Sequence, residues 1–316
     1  MMSNPIREEV YRAARETAVV VDRSTLGMLQ ISGATRLDLI DRMSTQAVKK
    51  LKSGEGLATV LTTDIGRTID RLILYTSSDT VYAMTGEGHN DLIARYFMRY
   101  VFFTDDFQLQ DLTDNTVVFG VYGPNAGEKL QAVGFPEVDL SLHHWRQEEI
   151  EGMTAYIHRT DPIGGDGYFV IGYTPDKEKL WNHLLATGLV AANEAEFELL
   201  RIENGRPRFG HEMSLDYIPL ETGLWDDISF NKGCYIGQEI IARMESRGKL
   251  AKQLVTLTAN SELTVGAEIL ADGRKVGNIT SAAVGPDGAV ALGYVKTKAL
   301  ESGNLAVGET AVTIVK

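Results

Sequence analysis

The 316-residue chain carries 31 Lys and Arg against 43 Asp and Glu, a net charge of −12, which excludes a general nucleic-acid binder because phosphate neutralisation needs surplus cations on one face. Its single cysteine excludes an internal disulfide, a thiolate zinc site and a self-contained cysteine-ligated iron–sulfur cluster, so no metal site is expected and a reducing, cytoplasmic setting is. The length predicts two or three domains, no stretch is long and apolar enough for a membrane helix, and residues 1–17 are charged and helix-like, unlike a leader.

Residues 5–19 have helical composition. Residues 26–31 alternate as a strand, and Ser32-Gly33 opens a helix over 34–43 with Leu37, Ile40 and Met43 at helical spacing. A hairpin follows, with strands 57–62 and 69–76 around Asp64-Ile65-Gly66-Arg67. A third strand is expected at 80–85, and the helix over 89–100 sets Leu92, Ile93, Tyr96, Phe97 and Tyr100 on one face. A similar grammar returns after residue 115: strand 117–122, helix 124–133, strands 153–158 and 168–172, then a helix over 176–187 between Pro175 and Gly188. Asn193, with Glu196 three residues on, reads as a capping box for a helix over 194–203 that Asn204-Gly205 and Pro207 end. From residue 249 short β segments are broken by Gly266, Asp272-Gly273, Gly277, Pro286-Asp287-Gly288 and Gly293, which suits a small antiparallel barrel or sandwich. The class is α+β, with expected modules over 1–115, 116–248 and 249–316. No linker is rich enough in Pro, Gly or Ser to tether the modules loosely.

Phosphate-loop, zinc-helix and calcium-loop signatures are absent. Gly164-Gly165-Asp166-Gly167 reads as a tight hairpin turn, and His143-His144 as a partly exposed pair on different faces. The informative stretch runs from Phe230 through Asn231-Lys232-Gly233-Cys234-Tyr235-Ile236-Gly237-Gln238-Glu239 to Arg243. Glycines bracket the thiol and let the backbone turn sharply. Lys232, or a helix starting at Gln238, would favour thiolate over thiol at Cys234; the other reading is a small buried hydrophobe.

The run Lys-Gly-Cys-Tyr-Ile-Gly-Gln-Glu resembles the signature of the folate-binding YgfZ-type proteins, the branch of the aminomethyltransferase (glycine cleavage T-protein) superfamily linked to iron–sulfur cluster assembly or repair. Arg201-Ile202-Glu203-Asn204-Gly205 is similar to that superfamily's Arg-Leu-Glu-Ala-Gly segment, residues 159–168 to its Gly-rich hairpin, and residues 66–72 to its Gly-Gly-x-x-Asp-Asp-Leu turn. The resemblance implies a three-module cloverleaf around a central channel that binds tetrahydrofolate or a one-carbon-substituted folate, with a C-terminal antiparallel β-barrel. It implies Glu203 as the pterin acceptor, with Arg201, Tyr168 and Gln238 beside the ligand, and Cys234 and Lys232 as functional residues. Glu203 is otherwise a solvated residue at a helix C-terminus, where the dipole disfavours it. Asp70 matches the first acid of the Asp-Asp pair and is a candidate catalytic group. Arg71 stands where the second acid is, an inversion of charge that would disable methylene transfer.

A local excess of cations between 242 and 252, with Arg243, Arg247, Lys249 and Lys252 against Glu245, suits either a solvated face or the glutamate tail of folate. The leading expectation is thus a folate-binding protein supporting iron–sulfur enzymes or their assembly proteins. The alternatives are a tetrahydrofolate-dependent aminomethyltransferase or demethylase acting with a lipoyl carrier protein, and a non-catalytic scaffold stabilised by folate.

Overall fold

The computed structural model describes residues 6–136, 138–301 and 303–315; Pro5, where the first helix is expected to begin, and Lys316 lie outside them. Helix α1 (Glu8–Glu16) buries Val10, Ala13 and Ala14, the three- and four-residue spacing that puts side chains on one helical face. It stops earlier than its composition suggests, because the β-branched run that follows forms strand β1 (Val19–Asp22). Then come β2 (Leu26–Ser32), α2 (Arg36–Met43), β3 (Gly56–Thr62), β4 (Thr68–Thr76), β5 (Thr80–Glu87), α3 (Asn90–Met98) and β6 (Gln108–Asp111). Strands β2 to β6 form an antiparallel sheet in the order β3-β4-β5-β2-β6.

The second sheet uses β7 (Thr116–Gly123), β8 (Trp145–Ile150), β9 (Met153–Arg159), β10 (Asp166–Tyr173) and β11 (Val190–Ala192), with helices α4 (Ala126–Val133), α5 (Lys177–Leu185) and α6 (Glu194–Glu203). Its order is β11-β1-β7-β10-β9-β8, so β1 leaves its sequence neighbours and pairs parallel to β11 and antiparallel to β7. Strand β1, inside the expected first module over 1–115, thus joins the second sheet. Helix α6 carries the full capping box, with the Asn193 side chain accepting from the Glu196 amide at 3.0 Å and the Glu196 carboxylate accepting from the Asn193 amide at 2.8 Å. Helix α7 (Gln238–Arg247) leads into a closed antiparallel barrel of β12 (Lys252–Ala259), β13 (Glu268–Ala271), β14 (Arg274–Gly285), β15 (Gly288–Lys296), β16 (Leu305–Val307) and β17 (Thr310–Val315). Two of the expected turn glycines, Gly277 and Gly293, lie inside β14 and β15, where the facing strand's carbonyl leaves no room for a Cβ.

The two α+β sheets face one another, and strand periodicity explains how. Along β4, Leu72 and Leu74 point into the outer core of the first sheet, while Ile73 and Tyr75 point into a core shared with the second. Along β10, Tyr168 and Val170 point outward beneath α4 and α5, and Phe169 and Ile171 point into the shared core. Both faces are covered, so these strands read as nearly unbroken apolar runs. The shared core also takes Val10 and Ala14 from α1 and Phe197 and Leu200 from α6. Through Leu199 and Ile202, α6 packs on Val290 and Leu292 of the barrel. The candidate site sits at the edge of this shared core.

Candidate functional site

A cavity of about 180 Å³ opens where β4, β5, β10, α6 and the segment following α6 converge. Tyr122, Phe169, Phe197 and Phe209 line it with flat apolar surface, and its charged groups are Arg23, Asp70, Arg71, Glu87, Asp161, Arg206 and Arg208. Asp70 is fully buried; it accepts from the Arg71 amide at 2.8 Å, the Gly86 amide at 2.9 Å and His89 Nδ1 at 3.1 Å. Burial pushes its carboxyl above the usual range against the pull of those donors. The His89 ring is stacked on Phe209 at 4.0 Å between centroids. Phe209 approaches so closely that a Cβ on Gly86 would lie 2.5 Å from its Cγ, which requires glycine there.

Arg71 reaches away from Asp70 and donates through Nε to Asp227 at 2.6 Å and through Nη1 to Asp161 at 2.7 Å. Burial opposes ionisation of Asp161, yet the Arg71 guanidinium holds its carboxyl at about 2. Arg71, Asp161, Arg206 and Leu224 also border a second cavity on the far side that includes His143 and Asp227, so this ion cluster forms a septum between two openings. His143 is buried, with a left-handed φ of 64°, which corrects the reading of a partly exposed pair. At the other edge Arg23 and Arg208 both bind Glu87, and Arg208 also meets Glu194 and Glu198.

The cysteine signature lies elsewhere. Cys234 is exposed and does not line the cavity, so the buried reading of the thiol is corrected. Lys232, expected to favour the thiolate, has other partners. Its side chain is 3% exposed and its ammonium donates to the carbonyls of Asp41, Ser44 and Gln46 at 2.6, 2.8 and 2.7 Å. Lys232 is thus a strut that neutralises the orphan carbonyls at the C-terminus of α2. Gly237, with φ of 84°, has no room for a Cβ, which would meet the Thr63 carbonyl at 2.5 Å, and Thr62 Oγ1 donates to the Ile236 carbonyl at 2.6 Å. These contacts bolt the signature to the β3–β4 turn. Gln238 is the first residue of α7 and Arg243 is exposed along it; neither lines the cavity.

Three further expected ligand residues face other partners. Glu203 accepts from the Tyr11 hydroxyl at 3.0 Å and from Arg15 at 3.0 Å, because the last turn of α6 aims it at α1. Arg201 is buried against Glu198, Glu212 and Ser281 beneath the barrel. Tyr168 is turned by strand alternation into the opposite core, where its hydroxyl donates to the Val138 carbonyl at 3.1 Å. The neighbours of these residues line the cavity instead: Phe169 beside Tyr168, and Arg206 and Arg208 past Glu203. Asp161, Arg206 and Arg208 lie within or next to segments the sequence reading singles out; Arg23, Glu87, His89 and Asp227 carry no local signal.

The model of the GCVT N-terminal domain matches residues 2–232, and that of the glycine cleavage T-protein C-terminal barrel domain matches residues 252–314. A chloroplastic protein of Arabidopsis thaliana, provisionally named a transferase, is 30% identical over 96% of this chain and 71% of its own length. An aminomethyltransferase of Exiguobacterium sibiricum is 26% identical over 94% of this chain and 83% of its own. The crystal structure of the glycine cleavage system aminomethyltransferase T from Bartonella henselae shares the fold, with a TM-score of 0.86, 21% identity and coverage of 98% of this chain and 88% of that one. Two sheet modules sharing one core, closed by an antiparallel barrel, thus recur at low identity, and the chain belongs to the glycine cleavage T-protein (GCVT) family.

Proposed function

We propose that this chain binds tetrahydrofolate or a one-carbon-substituted folate in the central cavity without carrying out aminomethyl transfer, and that it supports iron–sulfur enzymes or their assembly proteins in the cytoplasm. The observation that carries the first part is Arg71, held between Asp161 and Asp227 beside the cavity. A folate-dependent transferase needs a carboxylate near the reacting nitrogens. Here the guanidinium lines the cavity in that acid's place, and the adjacent acid, Asp70, is held in position by two amides and His89.

The residues present fit a pterin ring. The aromatic walls suit a flat heterocycle. A carboxylate offers about four acceptor positions; Asp70 uses three on protein donors, and Glu87 accepts from Arg23 and from Nε and Nη2 of Arg208, so each retains an acceptor for a ring N–H. The cavity is smaller than the roughly 300–1,000 Å³ that encloses a drug-sized ligand, so it would take the ring alone, and Arg206 and Arg208 in its lining would meet the anionic glutamate tail. Bound folate would supply a one-carbon acceptor; the protein's part is to orient the ring and exclude water from it.

The iron–sulfur role rests on the resemblance of the signature and on the exposure of Cys234, which leaves the thiol open to a partner. Calorimetry with tetrahydrofolate tests the first claim, and no heat at millimolar ligand refutes it. Methylene-tetrahydrofolate formation from an aminomethylated lipoyl carrier protein would establish the transferase reading instead. Unchanged iron–sulfur enzyme activity in cells carrying Cys234→Ala would remove the role of the thiol.

A further inference from the structure

A third cavity, of about 280 Å³, lies between the two sheets and shares no lining residue with the central one. Its character is opposite to that of the central cavity. No charged side chain lines it; its walls are aromatic, with Tyr75, Tyr82, Trp145, Tyr156 and Tyr173. Tyr173 is 39% exposed and marks the mouth.

Two of the lining residues carry a buried polar atom with no partner among the described residues: His158 Nε2 and Trp145 Nε1. A buried polar group without a partner costs about 1–3 kcal/mol, so both call for a hydrogen-bonding guest. His158 is fully buried, and burial holds its imidazole neutral, well below its ordinary pKa. Its Nδ1 lies 3.0 Å from the Tyr75 hydroxyl. That hydroxyl also lies within donating distance of Met84 Sδ, at 3.9 Å, so it can accept from Nδ1 as well as donate to it. Trp145 Nε1 is a donor and wants an acceptor, while His158 Nε2 wants whichever partner the ring's tautomer leaves it.

We propose that this inter-sheet cavity is a binding site for a small uncharged planar aromatic molecule carrying a carbonyl or ring-nitrogen acceptor, stacked among the tyrosines and received by His158 and Trp145. The site is separate from the central cavity and does not depend on the folate reading. A charged ligand is excluded because nothing in the walls would compensate its desolvation.

The test titrates the full-length protein with 2-quinolone, a neutral bicyclic carbonyl compound, with naphthalene and 2-naphthoate as controls, by calorimetry. The expected result is 2-quinolone binding with a Kd of about 1 mM or tighter and at least about tenfold weaker binding of both controls. His158→Phe should weaken 2-quinolone about tenfold and leave naphthalene unchanged. If that core variant does not fold, Tyr173→Ala at the exposed mouth should fold normally and weaken both aromatic compounds. Saturating tetrahydrofolate should not compete. No binding of 2-quinolone at millimolar concentration, equal binding of naphthalene, or displacement by tetrahydrofolate would each overturn the proposal.

Discussion

Replacing Arg71 by methionine removes the one cation shared by Asp161 and Asp227 while keeping much of the volume of its stem. The Arg71 side chain is 15% exposed, that of Asp227 8% and that of Asp161 28%, so of the carboxylates left behind Asp227 above all is poorly solvated. Deleting one partner of a buried ion pair costs about 3–5 kcal/mol, and that is the loss expected in urea unfolding at pH 7. Asp161 supplies an independent handle. Its folded-state pKa of about 2 lies below the ordinary 3.8, so its contribution is complete above the higher value and is lost as pH falls through the lower. The gap is worth about 2 kcal/mol. In Arg71→Met the Asp161 pKa should rise above 3.8, because burial is then opposed by much less positive charge, and acid unfolding should begin at higher pH. Carbon-detected titration of the Asp161 carboxyl reads this directly. Adding Asp161→Asn and Asp227→Asn to Arg71→Met should recover more than half of the lost stability. A loss below about 1 kcal/mol at pH 7, or an Asp161 carboxyl still near 2, would refute the septum as an electrostatic structure.

Burial, reinforced by the Arg71 charge, lowers the His143 pKa to about 4, and burial lowers that of His158 well below its ordinary value. Between pH 6.5 and 4 the unfolded chain therefore binds more protons at both positions, and stability falls as pH falls; His143→Asn, which tolerates the left-handed backbone, should flatten the slope of the urea-unfolding free energy against pH by about 1.4 kcal/mol per pH unit. An unchanged slope would mean that His143 is solvated. Gly237→Ala should lower stability by several kcal/mol through strain and the clash with Thr63, and should speed hydrogen exchange over residues 229–247; normal exchange there would contradict the tight docking. Lys232→Met should cost about 1–3 kcal/mol while the alkylation rate of Cys234 in the folded protein changes less than about twofold, and a tenfold slower rate would restore Lys232 as an activator of the thiol.

Much of the architecture was legible locally. The capping box at Asn193 and Glu196, the hairpin over β3 and β4, and the change of texture into the barrel are written in neighbouring residues, and the structure carries the expected α+β class with its closed antiparallel barrel. The short strands β6, β8 and β11 escaped because they lie at or near sheet edges, where polar residues are tolerated and the alternation fades. Within the site, the segments were better indicated than the side chains. The hairpin containing Tyr168 does border the cavity, but through Phe169, because adjacent strand residues face opposite ways and no local pattern says which face the ligand meets. The segment containing Glu203 does approach the cavity, but through Arg206 and Arg208, because the rotation of the α6 terminus is set by its packing on α1 and the barrel.

By itself, then, the sequence determined the fold class, the strongly periodic elements and the resemblance to the T-protein superfamily, since all three rest on residues close together in the chain. Only the tertiary structure decided which charges meet. Arg71 finds Asp161 and Asp227 at separations of 90 and 156 residues, and Lys232 finds the end of α2 at separations near 190. Ion pairing and hydrogen bonding depend on distance in space and on exclusion of water, and both exist only once the sheets have packed.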